Sequence, residues 1–549
     1  GETKWRVNSY MRNTKSNSWI TWSLAPENLM FFNLAFTGDM YFERPLGKSI
    51  SKKSFIPYIN SIAYNDFQND IKGDDFEFGG DAKFILDNSL TLDLTVNPDF
   101  SQVEVDQQVT NLTRFEISFP EKRQFFIENS DLFTELGNGR EARPFFSRRI
   151  GIAKDLDGNN IQNKIIAGLR LSGNINKKLR VGLLNMQTKQ DLDNEISAYN
   201  NSIFVLQQKV FGRSNFNAFF INRDATGNYD FLESNEKFNR VLGFDYNLRD
   251  INSKWSGKYY FHKSYSPENN DDSTSFGVST TYETRTFSTR IAGSYIGEDF
   301  RSDLGFIRRT DIIKLYPEIR YTFWPNESKI INHSIEITPV YVLKPSINNE
   351  ISDYYIISKW AAEMRNSSRI NFTMWNRYTY LYENFDPTGT NNGNPLPANS
   401  DYYYTNFDFS FNSDYSKDFT FQINPSFGKF YNGYKTSFDL ELSQRIRPKF
   451  TSSVEIKYDK VDLPESFSSA KIFLIAPRME FTFSKNIYWA TLVQYSNQND
   501  NLSLNTRLQW RFAPLSDLFI VYNDNYFTEN RYDSIFIPRV TNRSTNLKL

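Results

Sequence analysis

Ser89 to Val96 reads Ser-Leu-Thr-Leu-Asp-Leu-Thr-Val, with every second residue apolar and the intervening ones polar. Side chains of a strand point alternately to its two faces, so this segment has one greasy face and one wet face. The same alternation recurs from about residue 57 to the end of the chain, and the greasy face is rich in Phe and Tyr. So many half-apolar strands cannot all meet in one soluble core when hydrophobic residues make up only 39% of the chain. A closed barrel, with its apolar face in lipid and its polar face toward a lumen, resolves the conflict. The fold class read from the sequence is therefore all-β, a large antiparallel transmembrane β-barrel of roughly 16–24 strands with an internal plug or cap segment.

Composition narrows the alternatives. A soluble chain of 549 residues would hold about three or four domains, but one closed sheet can absorb this length. No segment approaches the ~18 consecutive apolar residues of a membrane helix. Aromatics reach 17%, with 50 Phe and 32 Tyr, and they favour strands and membrane interfaces. Trp255, Trp324, Trp375, Trp489 and Trp510 fall near expected strand ends and read as interfacial girdles. Basic and acidic residues balance at 63 and 64, so no nucleic-acid partner is expected. Cysteine is absent, in keeping with passage through an oxidising periplasm. The two histidines, His262 and His333, leave little for His-based catalysis or metal binding, and no cofactor is expected. The chain opens Gly1-Glu2-Thr3-Lys4-Trp5 without Met, as a mature or trimmed product would. Its last residues, Thr545–Leu549, read as a strand cut short.

The pattern divides the chain. Residues 1–56 do not alternate cleanly and read as the tail of an upstream module plus a linker. Residues 57–549 read as the barrel. Within them, 97–161 break the rhythm with a charged, Phe-rich stretch far longer than an ordinary loop, expected to be a lumenal plug or a cap over one mouth. Strands resume at 164–172, where Ile165, Ala167, Leu169 and Leu171 share one face and Ile166, Gly168, Arg170 and Ser172 the other. Arg170 marks the second face as the polar interior. A single strand is expected over 311–323. Tight polar turns such as Asn174–Lys177 alternate with long connections such as 382–401, the asymmetry of periplasmic turns and extracellular loops.

The insertion carries the candidate chemistry. Its charged residues Asp99, Glu104, Asp106, Arg114, Glu116, Glu121, Lys122, Arg123, Glu128, Arg148 and Arg149 are interleaved with Phe pairs. Glu116, Glu121 and Glu128 could serve as paired catalytic carboxylates. The even mixture of acids and bases favours a plug held by salt bridges to lumenal Arg and Lys, its Phe residues forming a small core of their own. Asp155-Leu156-Asp157-Gly158-Asn159 resembles the start of a calcium loop, but position 12 would be Ile166 in place of Glu, so a polar turn is the better reading. Gly305-Phe306-Ile307-Arg308-Arg309 and Trp510–Phe519 read as structural joints at barrel ends. No catalytic constellation is found, and the chain is not expected to be an enzyme.

Three stretches carry a family resemblance: Thr95-Val96-Asn97-Pro98-Asp99-Phe100-Ser101-Gln102-Val103-Glu104, Phe119-Pro120-Glu121-Lys122-Arg123-Gln124-Phe125-Phe126, and Phe146-Ser147-Arg148-Arg149-Ile150-Gly151. Ser516-Asp517-Leu518-Phe519 fits as well. Across roughly residues 30–549 the chain resembles a Bacteroidota outer-membrane barrel family of unknown function. In that family the barrel usually follows an N-terminal family-9-like carbohydrate-binding module, of which the stretch around Trp5 to Trp22 is expected to be the tail. The resemblance implies the outer membrane of a Gram-negative bacterium and a link to carbohydrate handling. It assigns no catalytic residue. The expected function is an outer-membrane pore or transport component, or a subunit of a larger outer-membrane complex. The alternatives are a plugged barrel that anchors other proteins and an outer-membrane hydrolase. Expected partners are membrane lipids, lipopolysaccharide and other outer-membrane or periplasmic proteins.

Overall fold

The computed structural model of the chain describes residues 4–13, 18–23, 37–43, 53–67, 70–87, 89–100, 105–158, 160–268, 270–326, 328–389, 393–498, 500–514, 516–527 and 539–549. Twenty-five strand segments close into one antiparallel barrel. The ring is completed where Arg539–Lys548 pairs with Lys53–Asp66. Two segments, Ile312–Leu315 and Glu318–Phe323, share one place in the wall, since both pair with Phe287–Ile296 and with Ile330–Lys344. The wall therefore has 24 positions, an even number as bacterial barrels require. The single strand expected over 311–323 is broken because Pro317 has no N–H to give to the ladder.

Alternation puts the apolar face outside. In Leu90–Val96, Asp93 and Thr95 are buried toward the lumen while Val96 is 59% exposed on the outer face. Phe220, Leu242, Phe244, Phe261, Ile291 and Ile335 continue that exposed apolar surface around the wall. A surface of this extent is a lipid-facing belt. No helix among the described residues is long and apolar enough to cross a membrane; the crossing is made by strands. Trp255, Trp489 and Trp510 are exposed near strand ends. Trp375 departs from the girdle expectation. It lies in mid-strand with its Nε1 donating to Asp408 Oδ2 at 2.6 Å, on the lumenal face. Ile165 and Ile166 also exchange the expected faces. A register shift between Ile165 and Ala167 inserts a bulge residue, so Ile165 is buried and Ile166 is 47% exposed.

Short connections (175–178, 211–213, 284–286) gather at one mouth, and long ones (189–198, 226–237, 297–311, 382–399) at the other. Residues 97–161 hang from the long-connection mouth between Leu90–Val96 and Ile165–Asn174, which pair directly with each other. The segment contributes nothing to the wall. It holds two one-turn helices, Gln124–Ile127 and Asp131–Thr134, and a hairpin of Ile152–Lys154 with Asn160–Gln162. Asp155 and Gly158 form the tip of that hairpin, where Gly158 N–H donates to the Asp155 carbonyl at 2.9 Å.

This segment touches lumen-facing side chains on opposite walls, which places it inside the barrel. Its Phe126, Leu132, Phe133, Leu136 and Phe145 pack with Leu184, Ile203, Val205, Phe219, Ile221 and Val241 of the wall. The Phe residues thus share a core with the wall, where the sequence suggested a core of their own. The reason lies in the wall strands: Ile203-Phe204-Val205 and Phe219-Phe220-Ile221 are apolar on both faces. The strands from Ser400 onward instead mix their inward residues: Asp408, Ser437, Asp459 and Gln494 are polar, while Val461, Leu474, Ala476 and Leu492 belong to two smaller apolar clusters. Outside the wall, Lys4–Val7 pairs with Gly38–Tyr41 and Tyr10–Asn13 with Ser18–Thr21.

Candidate functional site

The inserted segment is fastened to the apolar sector by buried polar bonds. Arg170, 2% exposed, reaches inward from Ile165–Asn174. Its Nη1 donates to the Phe125 carbonyl and, at 2.8 Å, to the Glu128 carbonyl, while its Nη2 pairs with Asp93 at 2.8 Å. The Glu128 carboxylate accepts from Lys83 Nζ at 2.5 Å. Further round, Asp245 Oδ2 accepts the Gly137 N–H at 2.7 Å, and Asp245 Oδ1 lies 2.8 Å from His262 Nε2. Gly137 stands at φ +62° against His262 and Pro144, where a Cβ would clash.

A second knot stays within the segment. Glu121 takes both forks of Arg123 at 2.9 and 2.8 Å and the Ser147 hydroxyl at 2.6 Å. Arg123 also donates to the Ile150 and Ser147 carbonyls at 2.7 Å each and covers the Phe126 ring at 4.2 Å. Burial pushes the Glu121 carboxyl up, but its bonds to Arg123 and Ser147 outweigh that and hold it below the ordinary glutamate range. Glu141 behaves alike. Burial opposes its charge, and Lys314 with Arg309 overcomes it.

The remaining candidates are spread along the lumen. Asp106 is held by Arg148, with a second contact from Nη1 at 3.2 Å, and by Lys122 at 3.3 Å. Glu116 pairs with Arg149 at 2.7 Å. Arg114 spans to the far wall, pairing with Asp353 at 2.6 Å and donating to the Tyr380 carbonyl at 3.0 Å. Asp99 meets Lys548 at 3.3 Å. Glu104 lies outside the described residues. Glu116, Glu121 and Glu128 each go to a different base, so the structure brings no two of them together as an acid pair. Sequence reasoning missed Glu141, Asp245, His262 and Asp353, which sit in ordinary-looking stretches and acquire partners only through the fold. Among the described residues no group of His, Cys, Asp and Glu is placed to hold a metal ion.

Two cavities flank the segment. One, about 970 Å³, opens among the long connections and reaches Glu195, Arg223 and Arg301. The other, about 1010 Å³, lies against the wall at Ile62, Asn523, Ser544 and Asn546. Asp106, Arg148, Gly151, Ile152, Asn160 and Asn163 border both. The Asp106–Arg148 pair therefore stands where the two spaces adjoin.

Fold and site together define a transmembrane β-barrel whose lumen is filled by an internal segment. The chain belongs to the family described as a domain of unknown function (DUF5916), whose model matches residues 51–507. No curated protein matches it. Similar solved structures include the siderophore receptor PirA from Pseudomonas aeruginosa, at 8% identity and TM-score 0.42, covering 92% of this chain and 81% of that one. PirA from Acinetobacter baumannii is similar at 8% identity and TM-score 0.43, covering 94% and 82%. The ferric yersiniabactin uptake receptor FyuA from Yersinia pestis is similar at 8% identity and TM-score 0.39, covering 95% and 83%.

Proposed function

We propose that this barrel is a transport component of the outer membrane of a Gram-negative bacterium, the Bacteroidota being the group that its motifs suggest. The inserted segment acts as a plug that must yield before solute passes. The observation that carries this reading is the division of the inner wall. One sector packs the large apolar core against the plug, and the other, with only small apolar clusters, carries polar side chains such as Asn523, Ser544 and Asn546 toward a cavity. Solute passes along the polar sector, and the Asp106–Arg148 pair bars the way between the two spaces. The wall's Asn, Gln and Ser side chains suit hydrophilic solutes, in keeping with a link to carbohydrate handling. Lipopolysaccharide and other outer-membrane or periplasmic proteins are the natural neighbours of such a barrel. The pairing of Glu116, Glu121 and Glu128 each with its own base favours transport over hydrolysis.

Liposome swelling tests this. Vesicles carrying Asp106→Ala should admit a neutral sugar at least several times faster than vesicles carrying the unaltered chain. The reversed pair Asp106→Arg with Arg148→Asp should return the rate toward that of the unaltered chain. Equal rates in all three would sink the barred-passage reading.

A further inference from the structure

The lumen holds a cluster of guanidinium groups that the plug's salt bridges do not use up. Residues Ala142–Arg143 of the plug pair with Phe306–Ile307 of the long connection 297–311, and the ladder runs on where Arg308 N–H donates to the Glu141 carbonyl at 2.8 Å. Arg143 faces Phe306 in this ribbon, and Arg308 is its diagonal neighbour, a spacing of about 7–8 Å. Phe115 sits under three guanidinium groups: Arg308 at 4.2 Å, Arg309 at 5.2 Å and Arg114 at 5.2 Å from the ring centroid. The Phe306 ring carries Arg143 at 5.9 Å and Arg149 at 6.0 Å.

The acids nearby are already taken. Asp353 is shared by Arg114 and Arg309, Glu116 by Arg149, and Glu141 by Lys314 and Arg309. Arg308 is exposed and, among the described residues, reaches no carboxylate at ion-pair distance, although its charge adds to the field on Glu141. Arg143 is half-buried, and among the described residues its guanidinium makes only a long hydrogen bond, to the Gly139 carbonyl at 3.4 Å. Burial holds its pKa below the ordinary arginine value, the sign of a cation without a counter-charge. The aromatic rings beside Arg143 and Arg308 restrain these two guanidinium groups without consuming N–H donors, which suits a planar oxyanion. Arg114 bonds the carbonyl of Tyr380, next to last in Arg369–Leu381, so the cluster lies toward the long-connection mouth.

We infer that Arg143 and Arg308, presented on the ribbon that the plug forms with the connection 297–311, beside Phe306 and Phe115, form a lumenal binding site for an oxyanion of a small solute, a carboxylate or a phosphate. The site requires no conduction, so it stands or falls apart from the transport reading.

Titration calorimetry of the purified full chain in detergent tests it, with inorganic phosphate and glucuronate as probes and glucose as the neutral control. Phosphate, glucuronate or both should bind, and glucose should give no heat. Arg143→Gln with Arg308→Gln should weaken binding by about tenfold or more, as expected for lost charge-assisted bonds. Binding of one probe alone would support the site and name its oxyanion. Arg308→Gln by itself, altering an exposed side chain, should fold as the unaltered chain does and still weaken binding by a factor of several. Binding equally tight in both variants, or no binding by the unaltered chain, would overturn the inference.

Discussion

Removing the Arg170 guanidinium, itself 2% exposed, would strand two plug carbonyls and leave the Asp93 carboxylate with only Lys83 at 3.9 Å. Arg170→Ala should therefore loosen the plug by about 3 kcal/mol, the scale of a broken buried pair. Hydrogen exchange across residues 124–134 would rise if so, and unchanged protection would contradict the assignment. Acid should act on the same plug through Glu121 and Glu141. Both carboxyls bind protons less readily in the folded protein than their ordinary value of 4.5. Their contribution is thus complete above that value and is lost as pH falls below it through the folded values. Protease nicking within 97–161 should be flat from neutral pH to about 5 and rise below about 4.5. Nicking that instead grew as pH rose from neutral would reverse the sign. Arg170 was legible as an inward residue because its polar neighbours alternate with Leu169 and Leu171. Its partners were not, since Phe125 and Glu128 lie over forty positions away and meet it only through the folded plug.

Among the elements, the strands declared themselves wherever one face was polar. Leu90–Val96 is the clearest case: three leucines out, Asp93 and Thr95 in. Where the plug demanded an apolar inner face, the alternation faded. Tyr199–Val210 and Ser214–Ala225 still read as strands, but nothing in their own sequence says which apolar face meets lipid and which meets the plug. The broken strand at Pro317 and the bulge at Ile165 escaped for a related reason. Period-two reasoning assumes an unbroken ladder. The outward faces give a direct check. Phe244→Arg, within Phe238–Arg249, would place a charge in the lipid belt and should cost about 2–4 kcal/mol of folding into vesicles if it lies near the bilayer midplane. No loss of folding free energy in lipid would contradict an outward Phe244.

At the scale of the whole molecule, 24 strand positions enclose far more space than side chains alone can fill. The plug supplies the filling. It is sealed on the apolar side by a large shared core and held on the other mainly by polar contacts such as Arg114 to Asp353, Gln108 to Gln494 and Asp99 to Lys548, with a smaller apolar contact at Leu112. That imbalance is what would let it shift without leaving the barrel. The long, irregular stretch at 97–161 announced an insertion; its position inside the wall followed only from which side chains it meets. Single-channel conductance in planar bilayers, for the full chain and for a chain lacking residues 101–149, tests the plug most directly. A filled lumen requires small or rare openings from the full chain and large, steady steps from the shortened one. Equal conductance from two folded barrels would contradict it.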